Sequence, residues 1–204
     1  ILDSQPADQS RAIAAANDTP MELWQEVIRD MRAEYLDESH HFPWILGFSG
    51  GKDSTLVAHA ALEMLTALPP SRRNRPVHIV SNDTLVESPV VIAHLNKVTQ
   101  AIAGMARNLD LPVTVARTTP ELTKSFWVLL IGKGYPSPNQ SMRWCTDRLK
   151  IQPTSEYIKQ YVSAAGAAIV VLGVRRDESE TRQNSINRHK NLRDTNLSPH
   201  SSLP

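Results

Sequence analysis

The residues with the clearest chemical potential are Ser49-Gly50-Gly51-Lys52-Asp53-Ser54-Thr55, set directly behind the apolar run from Phe42 to Phe48. A strand that ends in glycines, a lysine and hydroxyl residues, and leads at once into a helical pattern, builds an anion cradle. Amide N–H groups at the start of such a helix have no partner within it, and the helix dipole adds partial positive charge there. Glycine lets the backbone come close to a phosphate, and Lys52 adds a point charge. Residues 49–55 are therefore the candidate phosphate site, against the bland alternative of a strand–helix turn that binds nothing. A Walker A loop is excluded. Its first glycine would fall on Leu46, and Asp53 stands where its hydroxyl residue belongs.

A second segment, Met142 to Lys150, packs Arg143, Arg148 and Lys150 around Cys145 and Asp147. Arginine offers a planar fork to phosphate or carboxylate, and lysine a compact charge. A thiol among cations is a candidate nucleophile. The alternatives are a solvated basic turn and a cysteine buried as a small apolar group. A third segment, Gly173 to Arg182, follows an apolar run. Gly173 there allows close approach of a ligand, and Arg175 and Arg182 would lie where charge builds on a transferring phosphate. Glu178 would orient one of them or hold a metal-bound water; the alternative is a helix start with an ordinary Glu178–Arg182 surface pair. The fourth is Ser81-Asn82-Asp83-Thr84-Leu85-Val86-Glu87, whose polar residues would bond a ribose or cap the next helix. The seven histidines show no ligand spacing, and none is given a role.

The elements that must position these residues alternate between strand and helix. Residues 1–18 read as a loose lead-in, with one domain over 19–204. Thr19-Pro20 predicts the start of an amphipathic helix reaching Leu36. Strands are expected over Trp44–Phe48, Val77–Val80, Leu111–Ala116 and Ala167–Leu172, the last as a central strand. Helices are expected from about Ser54 to Leu68, Ser88 to Asn108, Glu121 to Ile131 and Pro153 to Ala164. Residues 69–76 read as an exposed basic turn, and 132–139 as a flexible loop. This order predicts an α/β, doubly wound parallel sheet with helices on both faces. Ligands of such sheets bind beyond the strand carboxyl ends, where residues 49–55, 81–87 and 173–182 all fall.

Composition narrows the class. At 204 residues, 41% hydrophobic and 21% charged, with net charge +1, the chain is long enough for one domain with a core and carries no bulk demand for a polyanion. No apolar stretch reaches the ~20 residues of a membrane span, and the polar start lacks a signal core, so a cytoplasmic protein with no membrane partner is expected. The single cysteine excludes internal disulfides and thiolate clusters within this segment. The missing initial methionine and the unclosed ending His200 to Pro204 raise the expectation of a C-terminally trimmed piece.

The form Ser49 to Ser54 resembles the pyrophosphate loop of the ATP pyrophosphatases, which cleave ATP between its α and β phosphates. With Arg143-Trp144-Cys145-Thr146-Asp147-Arg148-Leu149-Lys150-Ile151 and Gly173-Val174-Arg175-Arg176-Asp177-Glu178-Ser179, the chain over roughly residues 40–204 resembles the sulfur-metabolising branch of that superfamily. That branch includes phosphoadenylyl-sulfate reductases and the ATP-sulfurylase small subunit. The combination looks most like the DNA phosphorothioation proteins of the DndC and SspD type, which replace a non-bridging DNA phosphate oxygen with sulfur.

The resemblance implies an adenine nucleotide alpha-hydrolase-like, Rossmann-like fold and an ATP pyrophosphatase using ATP and Mg2+. Residues 49–55 would hold the β and γ phosphates, with Lys52 catalytic and Asp53 organising the metal. Val80, Ser81, Asn82 and Asp83 would cradle adenosine, joined in the nucleotide site by Gly173, Arg175, Glu178 and Arg182. Arg143, Arg148, Lys150 and Arg175 would face the α-phosphate or a DNA phosphate, beside Cys145. Implied partners are the DNA backbone, a cysteine desulfurase-type sulfur donor and other phosphorothioation proteins. Relatives of this type are expected to carry an iron–sulfur cluster, so either its ligands lie downstream of Pro204 or this is the cluster-free type. The Arg72-Arg73-Arg75 turn and residues 182–193 are further candidates for DNA phosphate contact. Two other readings stand: a reductase or sulfurylase subunit acting on small sulfate nucleotides, and a module that binds ATP without turnover.

Overall fold

The structure, a computed structural model, describes residues 19–139 and 142–174. Helix α1 (Pro20–Tyr35) starts on a capping box, in which Thr19 and Glu22 satisfy each other's backbone N–H groups. Strand β1 (Trp44–Gly47) leads through the glycine loop into α2 (Lys52–Ala67). Then come β2 (Val77–Asn82), α3 (Pro89–Asn108) and β3 (Val113–Thr118). The chain finishes its described course with α4 (Gln152–Ala165) and β4 (Ile169–Val171).

All strand pairs are parallel, in the order β3-β2-β1-β4. Alternation along the strands divides the two faces. Trp44, Leu46, Phe48, Val77 and Ile79 point into one core with Tyr35, Met64, Leu65, Leu95 and Ile102 from α1, α2 and α3. His78 points the other way, toward Tyr157 and Tyr161 of α4. Helices thus cover both faces, and the doubly wound α/β reading holds.

Three expectations change. The Glu121–Ile131 segment is not one helix but a 3-10 turn (Leu122–Lys124) followed by a π turn (Val128–Gly132). Only Leu129 of that apolar run is buried, while Leu122 and Ile131 are 78% and 76% exposed, so no continuous helical face packs on anything. Strand β4 is three residues long and pairs only β1 among the described residues, which puts it at the edge of the described sheet. The basic turn before β2 is exposed over residues 69–72, 74 and 76 as expected, but two of its three arginines turn inward. Arg73 donates to the carbonyls of Leu68, Leu109 and Thr66 at 3.0, 3.0 and 3.2 Å. Arg75 is 2% exposed and donates to the carbonyls of Glu34 and Asp37 and to His40 Nδ1, with Tyr35 beneath it. These guanidiniums clamp carbonyls at the C-terminal ends of α1, α2 and α3, where the chain turns back toward the strands. In the nearby Glu34–Asp37–His40 group, His40 meets Arg75 through Nδ1 and the Glu34 carboxylate through Nε2 at 3.2 Å.

Two tests follow from this packing. Arg75→Ala removes a buried guanidinium with its bonds to the Glu34 and Asp37 carbonyls and His40, and should cost about 2–4 kcal/mol, read as a lower denaturation midpoint. A midpoint unchanged from wild type contradicts the clamp. Burial lowers the pKa of His78, whose Nδ1 sits 2.9 Å from the Tyr157 hydroxyl. The folded state therefore favours neutral imidazole; its contribution is present above the unfolded pKa of ~6.5 and is lost as pH falls below it. Thermal melts from pH 8 to 5 should show a larger fall for wild type than for His78→Gln, and parallel curves contradict the assignment.

Candidate functional site

The chain runs outward from β1 to β2 and β3, then returns to place β4 on the other side of β1. A crevice opens at such a reversal, beyond the carboxyl ends of the two strands it separates. The loop after β1 and Gly173 after β4 both meet it.

The loop is held by its own hydroxyls. The Ser54 Oγ donates to the Gly51 carbonyl at 3.0 Å and accepts the Ser49 N–H at 3.2 Å. Ser49 Oγ lies 3.1 Å from Ser54 Oγ and accepts the Gly51 N–H at 3.4 Å. Ser54 is 8% exposed, so it latches the turn rather than presenting a ligand atom. Gly50 takes φ +74°, a left-handed conformation that disfavours side chains. Gly51 then forms the N-cap of α2 without any side-chain cap, and the first intrahelical bond is Thr55 N–H to the Gly51 carbonyl at 2.9 Å. The first turn of a 16-residue helix is left for an outside acceptor, with Lys52 exposed beside it and Asp53 half-buried in the same turn.

Gly173 completes this group. A Cβ built on it would lie 2.6 Å from the Asp53 carbonyl oxygen, 2.7 Å from its carbon and 3.1 Å from the Ser54 nitrogen. The backbone just after β4 thus rests directly on the Asp53–Ser54 peptide in the first turn of α2, and no side chain fits between them.

At the end of β2, Val80 and Ser81 are each 1% exposed. The Val80 carbonyl accepts the Phe48 N–H at 2.8 Å, and the Ser81 hydroxyl donates to Ala116 at 3.3 Å. Their side chains are sheet interior. Asn82 is a junction: its Nδ2 donates to Thr118 Oγ1 at 2.7 Å, Thr154 Oγ1 at 2.6 Å and the Lys150 carbonyl at 3.2 Å. Asp83 holds a turn through the Leu85 N–H at 2.9 Å and lies 3.8 Å from Arg117. Thr118 and Thr154, which sequence reasoning missed, are what draws the second motif to this sheet edge.

That motif forms a helical turn (Trp144–Thr146) and a π turn (Asp147–Ile151) before α4. Lys150 Nζ reaches Glu87 at 3.7 Å, and Glu87 accepts the Thr84 hydroxyl at 3.1 Å. Arg148 pairs with its neighbour Asp147 at 3.6 Å. Arg143 is exposed and Cys145 is a half-buried free thiol. Between them, Trp144 donates to the Pro136 carbonyl at 2.8 Å and stacks on Phe126 at 5.4 Å. Asn82 and Glu87 thereby gather Lys150 to the 81–87 turn, while Arg143 and Cys145 sit on the Trp144 platform. Arg175, Glu178 and Arg182, and the 182–193 segment, lie outside the described residues.

One further residue stands at the loop. His94 of α3 places its Cδ2 3.6 Å and its Nε2 4.0 Å from where a Gly50 Cβ would be. Sequence gave no signal for it, because a histidine on a helix face has no spacing partner. An apolar slot of about 220 Å³ lies behind the loop, lined in part by Phe48, Thr55, Leu62 and Ile102. Among the described residues no helix is long and apolar enough to cross a membrane.

Residues 43–195 match the profile of the phosphoadenosine phosphosulfate reductase domain. The chain is also 29% identical, over 136 residues, to an uncharacterized protein of Methanocaldococcus jannaschii. That alignment covers 67% of this chain and 26% of the relative, so the chain spans about a quarter of that protein's length.

Gly173→Ala separates the site from the fold. The added carbon must displace the Asp53–Ser54 peptide, and affinity for inorganic pyrophosphate should fall roughly tenfold, ~1.4 kcal/mol, by calorimetry. Unchanged affinity contradicts the role of this contact.

Proposed function

This chain belongs to the phosphoadenosine phosphosulfate reductase domain family, and we propose that it is an ATP pyrophosphatase activating a DNA backbone phosphate for sulfur incorporation. The observation that carries the proposal is the uncapped first turn of α2 behind Gly50 and Gly51, opening at the crevice between β1 and β4. Amides in that position bind the tail of a nucleotide triphosphate, and Lys52 adds charge as the pyrophosphate departs. Asp53 and the phosphate oxygens make a donor set suited to Mg2+, which keeps water ligands and takes few carboxylates. The ion supplies charge neutralisation on the phosphates. Asn82 and Asp83 stand at the adjoining strand end for the nucleoside. Arg143, Arg148 and Lys150 give the carboxyl edge a cationic rim for the second phosphate; Arg175, Glu178 and Arg182 are assigned to the nucleotide site from the sequence pattern alone.

The reaction balances in two stages. A DNA phosphate oxygen attacks the α-phosphorus of ATP, forming a DNA–adenylate anhydride and releasing pyrophosphate. A persulfide from a desulfurase-type donor then attacks the DNA phosphorus, and AMP leaves with the original oxygen. A thiol reduces the remaining S–S bond and frees the phosphorothioate; Cys145 is the chain's own thiol for such a relay. A cytoplasmic setting with other phosphorothioation proteins fits this chemistry.

The family match equally supports a second reading, a reductase or sulfurylase-type enzyme on small sulfate nucleotides. Incubation with ATP and Mg2+, with and without DNA, separates the readings. AMP plus pyrophosphate with DNA stimulation is the expected result, and Lys52→Ala should reduce it by on the order of 100-fold. ADP plus phosphate contradicts the loop assignment. Adenylyl sulfate plus pyrophosphate from ATP and sulfate, or sulfite released from a sulfate nucleotide with a thiol as reductant, favours the second reading, and binding without products makes the protein a nucleotide-gated module.

A further inference from the structure

The structure points to His94 as a phosphate-contacting residue of the glycine loop, reaching it from α3, and we propose that its Nε2 donates to the terminal phosphates of the bound nucleotide. This deepens the pyrophosphate-cradle reading of Ser49–Thr55 and rests on it. The inference comes from three observations at one place. Gly50 has φ +74°, which keeps a side chain off this part of the loop. The space a side chain would take is bordered instead by α3, with Leu95 Cδ1 at 3.3 Å, His94 Cδ2 at 3.6 Å and His94 Nε2 at 4.0 Å from the Cβ position. Leu95 is buried at 4% exposure, so its packing fixes the helix against the loop and aims the neighbouring imidazole.

His94 itself is exposed and forms no hydrogen bond or ion pair among the described residues. A surface histidine elsewhere needs no partner, but this one borders the glycine of the loop whose amides would hold phosphate. With Nε2 4.0 Å from the Gly50 Cβ position, the imidazole stands beside the loop, and a phosphate oxygen bound there is the partner assigned to it. The loop then grips the departing group from two elements, backbone amides and Lys52 from α2 and an imidazole from α3. Such charge-assisted bonds are the strong kind. Histidine at this place also links loop and α3, so phosphate binding would tie the two helices of the β1–β2–β3 half together.

Calorimetric titration of the full chain with inorganic pyrophosphate and Mg2+ tests this without relying on turnover. Wild type should bind, His94→Ala should bind at least about tenfold more weakly, and His94→Gln, which keeps a donor in reach, should stay within about threefold of wild type. Melting temperatures of both variants should match wild type, since His94 has no hydrogen-bond or ion-pair partner among the described residues. Equal affinity of wild type and His94→Ala overturns the inference while leaving the loop assignment intact. Absence of pyrophosphate binding in wild type overturns the loop assignment, and the inference with it. An affinity loss in both variants that tracks a lower melting temperature makes His94 structural, and also overturns it.

Discussion

The site depends on one contact that contains no side chain. The backbone at Gly173 meets the Asp53–Ser54 peptide at a distance no Cβ could share. Strand β4 is thereby seated against the first turn of α2, and the crevice between β1 and β4 is floored by amides. A methyl group there would push the helix start away and turn a cradle into a gap. The Ser49–Gly51–Ser54 hydroxyl latch works toward the same end from within the loop. It satisfies the groups that point inward, and α2 begins with no side-chain cap.

Charge is sorted along the sheet by the same logic. At the C-terminal ends of α1, α2 and α3, Arg73 and Arg75 are consumed by carbonyls, and one of them is nearly fully buried. Those two cations hold the fold. At the carboxyl ends of the strands, Lys52 and Arg143 are exposed and Lys150 has one acidic neighbour. The difference is legible only in three dimensions, because a run of arginines before a strand and a run before a helix look alike in sequence. Asn82 shows the complementary case. It reads as a nucleoside ligand or a cap, and in the structure it is the bracket that fastens the second motif to the sheet edge.

How much was legible follows from which signals are local. The glycine loop between β1 and α2, the Thr19-Pro20 start of α1, Pro89 at the start of α3 and the parallel alternation of elements are all set by neighbours in sequence, and each appears as read. The Glu121–Ile131 segment misled because hydrophobicity without a burying partner does not make a helix, and only Leu129 finds the core. The apolar run at 167–172 suggested a central strand, yet pairing decides position, and β4 pairs β1 alone among the described residues. Residues such as His94, Thr118 and Thr154 carry no motif. Their roles come from elements that meet across long sequence separations, which one sequence does not reveal. Arg175, Glu178 and Arg182 were named from sequence and lie outside the described residues.

A crystal structure with Mg2+ and an ATP analogue that resists cleavage between the α and β phosphates is the most direct measurement. The β and γ phosphates should sit on the amides of Gly50 to Asp53, with the nucleoside toward the end of β2. A triphosphate bound elsewhere, with this turn bare, would contradict the central claim.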